Sequence, residues 1–217
     1  MKNIAQIISW LFHPLLILTY MICLLMLINP YAFGINQLGE GRSGLLIIMV
    51  FLQATLIPSI AISMMKTLGL VPKLASMEDR TSRIGPFIAT GMLYLWLYIS
   101  FNRLPEIPVA FKAATLGCVM ALFTAFVLNI FSKISLHTVG MGSLVGMIIT
   151  AMLLFNYNSF QFGDQSFSMY TLLFVGIGIA GLVGTARMIL ENPTPRDLYG
   201  GYLVGFATQL IALRFVV

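Results

Sequence analysis

Apolar positions in this chain come in long unbroken runs rather than in an alternating or one-faced pattern. A membrane-crossing helix needs roughly 20 consecutive apolar residues. By that measure the chain divides into segments at 7–28, 44–65, 86–101, 109–130, 138–156, 169–190 and 199–217. The third is short, and the fourth carries Lys112 near its start, where a long side chain can snorkel to the interface. Either fits a tilted or half-inserted helix, so six or seven spans are expected. Lys2 precedes a first run that is too long for a signal-peptide core and lacks a small-x-small cleavage site, so it reads as a retained helix. The fold class expected is all-α, a polytopic transmembrane bundle forming one integral membrane domain over 1–217.

Small residues at four-residue spacing mark where these helices can approach closely. Gly142 and Gly146 do so in the fifth run, Gly201 and Gly205 in the last, and Gly117, Ala121 and Ala125 in the fourth. In lipid, close backbone packing replaces the missing hydrophobic drive between helices. Gly176, Ala180 and Gly184 form a further stripe in the sixth run, and Arg187, three residues on, continues it toward the bundle interior. An arginine pointing inward there calls for an anion.

Polar residues gather in three connections. The first, at 66–85, holds Lys66, Lys73, Glu78, Asp79, Arg80 and Arg83. The second, at 131–137, holds Lys133, Ser135 and His137, and the third, at 187–197, holds Arg187, Glu191, Arg196 and Asp197. Two runs separate each connection from the next, and two crossings return a chain to its starting side. All three are therefore expected on one membrane face, opposite a face carrying Glu40, Arg42, Arg103, Glu106 and Asp164.

Composition agrees with the runs. Of 217 residues, 59% are hydrophobic and 9% charged, against about 25% charge in soluble domains. The net charge of +5 comes without a basic cluster, so nucleic acid is not an expected partner. Cys23 and Cys118 both lie inside apolar runs, which rules out a disulfide framework or a cysteine metal site. No cofactor and no metal are expected.

The three polar connections resemble the motifs of the type 2 phosphatidic acid phosphatase (PAP2) superfamily. The family pattern is Lys-x6-Arg-Pro, then Pro-Ser-Gly-His, then Ser-Arg-x5-His-x3-Asp. Lys73 and Arg80 keep the first spacing, with Thr81 in place of the proline. Ser135-Leu136-His137 resembles the second, with Ile134 and Leu136 replacing Pro and Gly. Ala186-Arg187 through Pro193 to Asp197 keeps the third spacing, with Pro193 at the nucleophile position. Phe12-His13-Pro14 is similar to a sequence in bacterial members of the group, and the resemblance covers roughly residues 66–217.

The resemblance implies that Lys73, Arg80, Ser135 and Arg187 bind phosphate, that His137 is a general acid, and that Asp197 orients the nucleophile. Arginine suits such a site because its planar fork donates in pairs to phosphate oxygens. Pro193 cannot attack phosphorus, because its nitrogen is locked in an amide. The function expected is therefore binding of a lipid or isoprenoid phosphate headgroup with hydrolysis impaired or lost, in a bacterial inner membrane. Two alternatives stay open: an active phosphatase with an atypical nucleophile, for which His13 is the other histidine available, and a transporter or structural membrane protein. Each residue also has a plainer reading. Lys66, Arg83 and Arg196 read as interfacial anchors, Arg187 can pair with Glu191, Asp197 can cap the last helix, and His13-Pro14 can be a packed kink. The basic residues favour a cytoplasmic motif face, whereas family members often act on the outer side of the inner membrane.

Overall fold

A computed structural model describes residues 2–35, 41–69, 83–155, 158–162, 165–191 and 193–217. Backbone groups in hydrocarbon must be satisfied within the chain, and the apolar runs accordingly form helices. These are α1 (Lys2–Leu11), α2 (Ile17–Ile28), α3 (Gly41–Phe51), α4 (Ile57–Thr67), α5 (Ile84–Asn102), α6 (Val109–Phe131), α7 (Leu136–Phe155), α8 (Met169–Glu191) and α9 (Pro195–Val216). Among the described residues, six helical stretches are long and apolar enough to cross a membrane: Lys2–Ile28, Gly41–Thr67, α5, α6, α7 and α8. The chain is thus an integral membrane protein built as an all-α bundle. The expected short third segment forms a full 19-residue helix. Lys112 on α6 reaches back to donate to the Asn102 carbonyl at 3.4 Å.

The first two expected runs are interrupted. At Pro14 the chain turns through a short 3₁₀ segment, Pro14–Leu16, after His13 takes an extended ψ of 138°. Between α3 and α4 the helix widens into a π turn, Leu52–Leu56. Pro58 is the cause, because it has no N–H for the carbonyl four residues back, that of Ala54. The two irregularities satisfy each other through a third helix. Tyr94 Oη of α5 donates to the Ala54 carbonyl at 3.1 Å and approaches the Leu15 carbonyl at 3.4 Å. Thr55 Oγ1 also donates to Leu15, at 2.8 Å. Irregular backbone at this depth persists where neighbouring side chains partner its freed carbonyls, here those of Leu15 and Ala54.

The glycine stripes do what their spacing implied. α9 lies along α7 and α6, and a Cβ at Gly142 would run into the backbone of Tyr202. One at Gly205 would meet the Val139 carbonyl and the Ser143 amide. Gly184 of α8 admits the Tyr202 side chain, whose hydroxyl donates to the Ala180 carbonyl at 2.5 Å. Thr194 and Asp197 close a reciprocal capping box at the start of α9, with Pro195 at its first position.

The apolar pattern held no sign of a hairpin, yet one follows α7. Strands β1 (Ser159–Phe162) and β2 (Gln165–Ser168) pair antiparallel, with Phe160 stacked on Phe167. In the connections opposite the polar ones, Arg42 and Glu106 form an exposed ion pair at 2.5 Å.

Candidate functional site

The start of α5, the turn between α6 and α7, and the last turns of α8 each deliver polar side chains to one cavity of about 620 Å³. Arg83 comes from the first, Lys133, Ser135 and His137 from the second, Arg187 and Glu191 from the third. The last turn of α1 adds Ser9, and the break after it adds His13. The second and third polar connections therefore meet at one cavity, joined by Arg83 at the end of the first. Lys73 and Arg80 lie outside the described residues.

Arg187 is the centre of the arrangement. It is only 8% exposed, on the buried face of α8 that Gly184 and Ala180 continue. Its Nη1 donates to Ser9 Oγ at 2.8 Å and its Nη2 pairs with Glu191, one turn further on. The local ion pair thus forms, but it does not use the whole guanidinium: Nε is buried and has no hydrogen-bond partner among the described residues. Ser135 Oγ is in the same condition, in a residue 9% exposed. A buried polar group without a partner costs about 1–3 kcal/mol, so two lining one cavity mark a place where a polar ligand fits.

The two histidines sit edge to face, ring centroids 5.7 Å apart. His137 Nε2 lies 3.2 Å from the Ser9 carbonyl and 3.1 Å from Ser9 Oγ. A carbonyl only accepts, so Nε2 carries the proton and is held by Ser9, and a general acid here would have to act through Nδ1. His13 Nδ1 accepts from the Leu15 amide at 3.3 Å, which leaves the neutral ring's proton on Nε2. His13 thereby presents a donor to the cavity, and attack on phosphorus would require the opposite tautomer.

Asp197 takes the plainer of its two readings. Its carboxylate accepts from the Thr194 amide at 3.0 Å in the capping box, and neither it nor Pro193 lines the cavity. What ties it to the site is backbone: the Ser135 amide donates to the Asp197 carbonyl at 3.3 Å. Arg196 is exposed, as an anchor should be.

Arg83 departs from its reading as an anchor. It lines the cavity, and its Nη1 donates to the Ile134 carbonyl at 3.1 Å, bracing the turn that carries Ser135. Burial lowers its pKa, with Glu191 opposing, Arg187 reinforcing and Asp197 opposing, so these charges share one neighbourhood. Its position one residue before α5 made it look interfacial. Ser9 carried only a faint signal, the four-residue spacing from Ala5 that lets α1 lie close against α8. Among the described residues, Arg83, Lys133 and Arg187 against Glu191 give the cavity lining two net positive charges with neutral histidines. Comparison with protein-family models, curated proteins and solved structures finds no match to this chain.

Proposed function

We propose that this cavity binds the phosphate headgroup of a membrane lipid or isoprenoid phosphate, and that the protein does not hydrolyse it. The observation that carries the reading is the pair of orphaned buried donors, Arg187 Nε and Ser135 Oγ, in a cavity with surplus positive charge. A phosphate monoester supplies what they lack, several acceptor oxygens bearing nearly two negative charges. Arg83, Lys133 and the His13 Nε2–H offer further positive charge or donors around the same space.

Turnover needs a nucleophile and a group to orient it. Position 193 is proline, the Asp197 carboxylate is held by the Thr194 amide, and His137 Nε2 is held by Ser9. These three commitments favour retention over chemistry. The test is a paired measurement on purified protein in nanodiscs: binding of a labelled alkyl phosphate, and release of inorganic phosphate from phosphatidic acid and from a polyprenyl phosphate. Binding with release at background is expected. Sustained phosphate release by the wild type overturns the non-catalytic half, and absence of binding overturns the whole.

A further inference from the structure

The cavity continues well past its polar groups. Along α5 its wall runs from Arg83 through Phe87 and Thr90 to Tyr94. Eleven residues at about 1.5 Å each make a depth of about 16 Å, half of a hydrocarbon core roughly 30 Å thick. α6 lines the same depth with Leu122 and Cys118, nine and thirteen residues before its end at Phe131.

The lining changes character with depth. Arg83, Lys133 and Glu191 sit at helix ends or in a turn, with Arg187 one turn further in. The inner end is made by Leu18, Tyr94, Cys118 and Leu122. Tyr94 has its hydroxyl occupied by carbonyls, and the Cys118 thiol rests 3.7 Å from the sulfur of fully buried Met21. Ser59 and Ser143, which also line the cavity, donate to the Thr55 and Gly205 carbonyls, so this end offers an entering molecule mainly apolar contact. Trp10 and Ser63 are exposed yet line the cavity, so it opens to the outside between the first and second helical stretches.

Resting on the anion-binding reading above, we infer that the ligand is a single-chain amphiphile. Its phosphate meets Arg187 and Ser135, and its one alkyl or isoprenoid chain fills the limb between α2, α5 and α6. The depth of about 16 Å takes on the order of a dozen carbons, since each carbon–carbon bond of about 1.5 Å is foreshortened by the chain's zigzag. A volume of about 620 Å³ lies in the range of about 300–1,000 Å³ that encloses one small ligand. A diacyl phospholipid would have to leave one or both chains outside.

The experiment uses the full chain in phosphatidylcholine nanodiscs. It measures displacement of labelled dodecyl phosphate by unlabelled dodecyl phosphate, hexyl phosphate, dioleoyl phosphatidic acid and inorganic phosphate. Dodecyl phosphate should bind at least tenfold tighter than dioleoyl phosphatidic acid at equal mole fraction in the bilayer. Ala121→Phe, which fills the limb from the buried α6 face, should weaken dodecyl phosphate at least tenfold while hexyl phosphate changes less than twofold. Leu122→Trp blocks the limb from the neighbouring position and serves if the first variant does not fold. The wild-type ranking requires neither. Phosphatidic acid binding as well as dodecyl phosphate, or filled variants that leave the dodecyl-to-hexyl ratio unchanged, overturns the single-chain inference. Inorganic phosphate binding as tightly as dodecyl phosphate overturns it too, while leaving the anion reading intact. No displacement by any of the four, with no specific uptake of the label, overturns both.

Discussion

Replacing Arg187 tests the centre of the site. Arg187→Ala removes the buried guanidinium that holds Ser9 and Glu191 and carries the free Nε. Hydrogen bonds to charged groups contribute about 1.5–3 kcal/mol each, and every 1.4 kcal/mol is tenfold in affinity. Loss of one such contact to a bound phosphate should weaken binding about tenfold to a hundredfold. Arg196→Ala is the matched control, since that side chain is exposed and a solvated charge contributes at most about 1 kcal/mol. Arg187→Lys separates charge from geometry. It retains a cation but cannot supply a donor at the Nε position while also reaching Ser9 and Glu191, so it should fall between the other two. Affinity would be read by displacement of labelled alkyl phosphate in nanodiscs, with thermal unfolding of each variant run alongside to separate lost binding from lost fold. Equal losses for Arg187→Ala and Arg196→Ala would refute the placement of the anion. Wild-type affinity in Arg187→Lys would refute the role of Nε.

Three further outcomes follow from other contacts. Glu191→Gln removes the carboxylate that competes with a ligand for Arg187 and should raise alkyl phosphate affinity by up to about fivefold, the equivalent of a solvent-screened pair; an affinity loss in the same displacement assay would mean that Glu191 orients Arg187 instead. Gly205→Ala pushes a methyl into the backbone of α7, and overpacking of this kind costs about 1–3 kcal/mol. Its thermal midpoint should drop, whereas Gly178→Ala, which points into open space, should hold or raise it; equal midpoints would show that the seam between α7 and α9 can give. Pro193→His places an imidazole outside the cavity lining and beside an Asp197 already committed to its cap, so phosphate release should stay near background, and brisk turnover would show that the cap opens to serve catalysis.

Much of the fold could be read from local pattern, because a bilayer leaves the chain few choices. Long apolar runs must become helices when no water is present to satisfy their backbones, and the bounds of the last five helices match their runs to within a few residues, while the first two runs are broken near Pro14 and Pro58. The glycine pairs of α7 and α9 were equally legible, since only a residue without a Cβ lets two backbones meet where Gly142 faces Tyr202 and Gly205 faces Val139. The inward aim of Arg187 followed from its place on the Gly176, Ala180 and Gly184 stripe, a matter of helical period alone.

Other features depend on contacts between residues far apart in the chain, and no local pattern encodes those. Ser9 meets Arg187 across 178 positions and His137 across 128. Arg83 and Arg196 both flank helices and look alike in sequence; one turns inward to hold the Ile134 carbonyl and the other stays exposed. Asp197 stood equally well as an orienting carboxylate or as a cap, and the reach of Thr194 three residues before it selected the cap. The apolar limb is likewise invisible in one dimension, because Leu18, Tyr94 and Cys118 become its end wall only once three separate helices have packed around the same space. Hydropathy sets which segments enter the membrane; the facing of individual side chains is settled by long-range packing, where each partner's position depends on all the others.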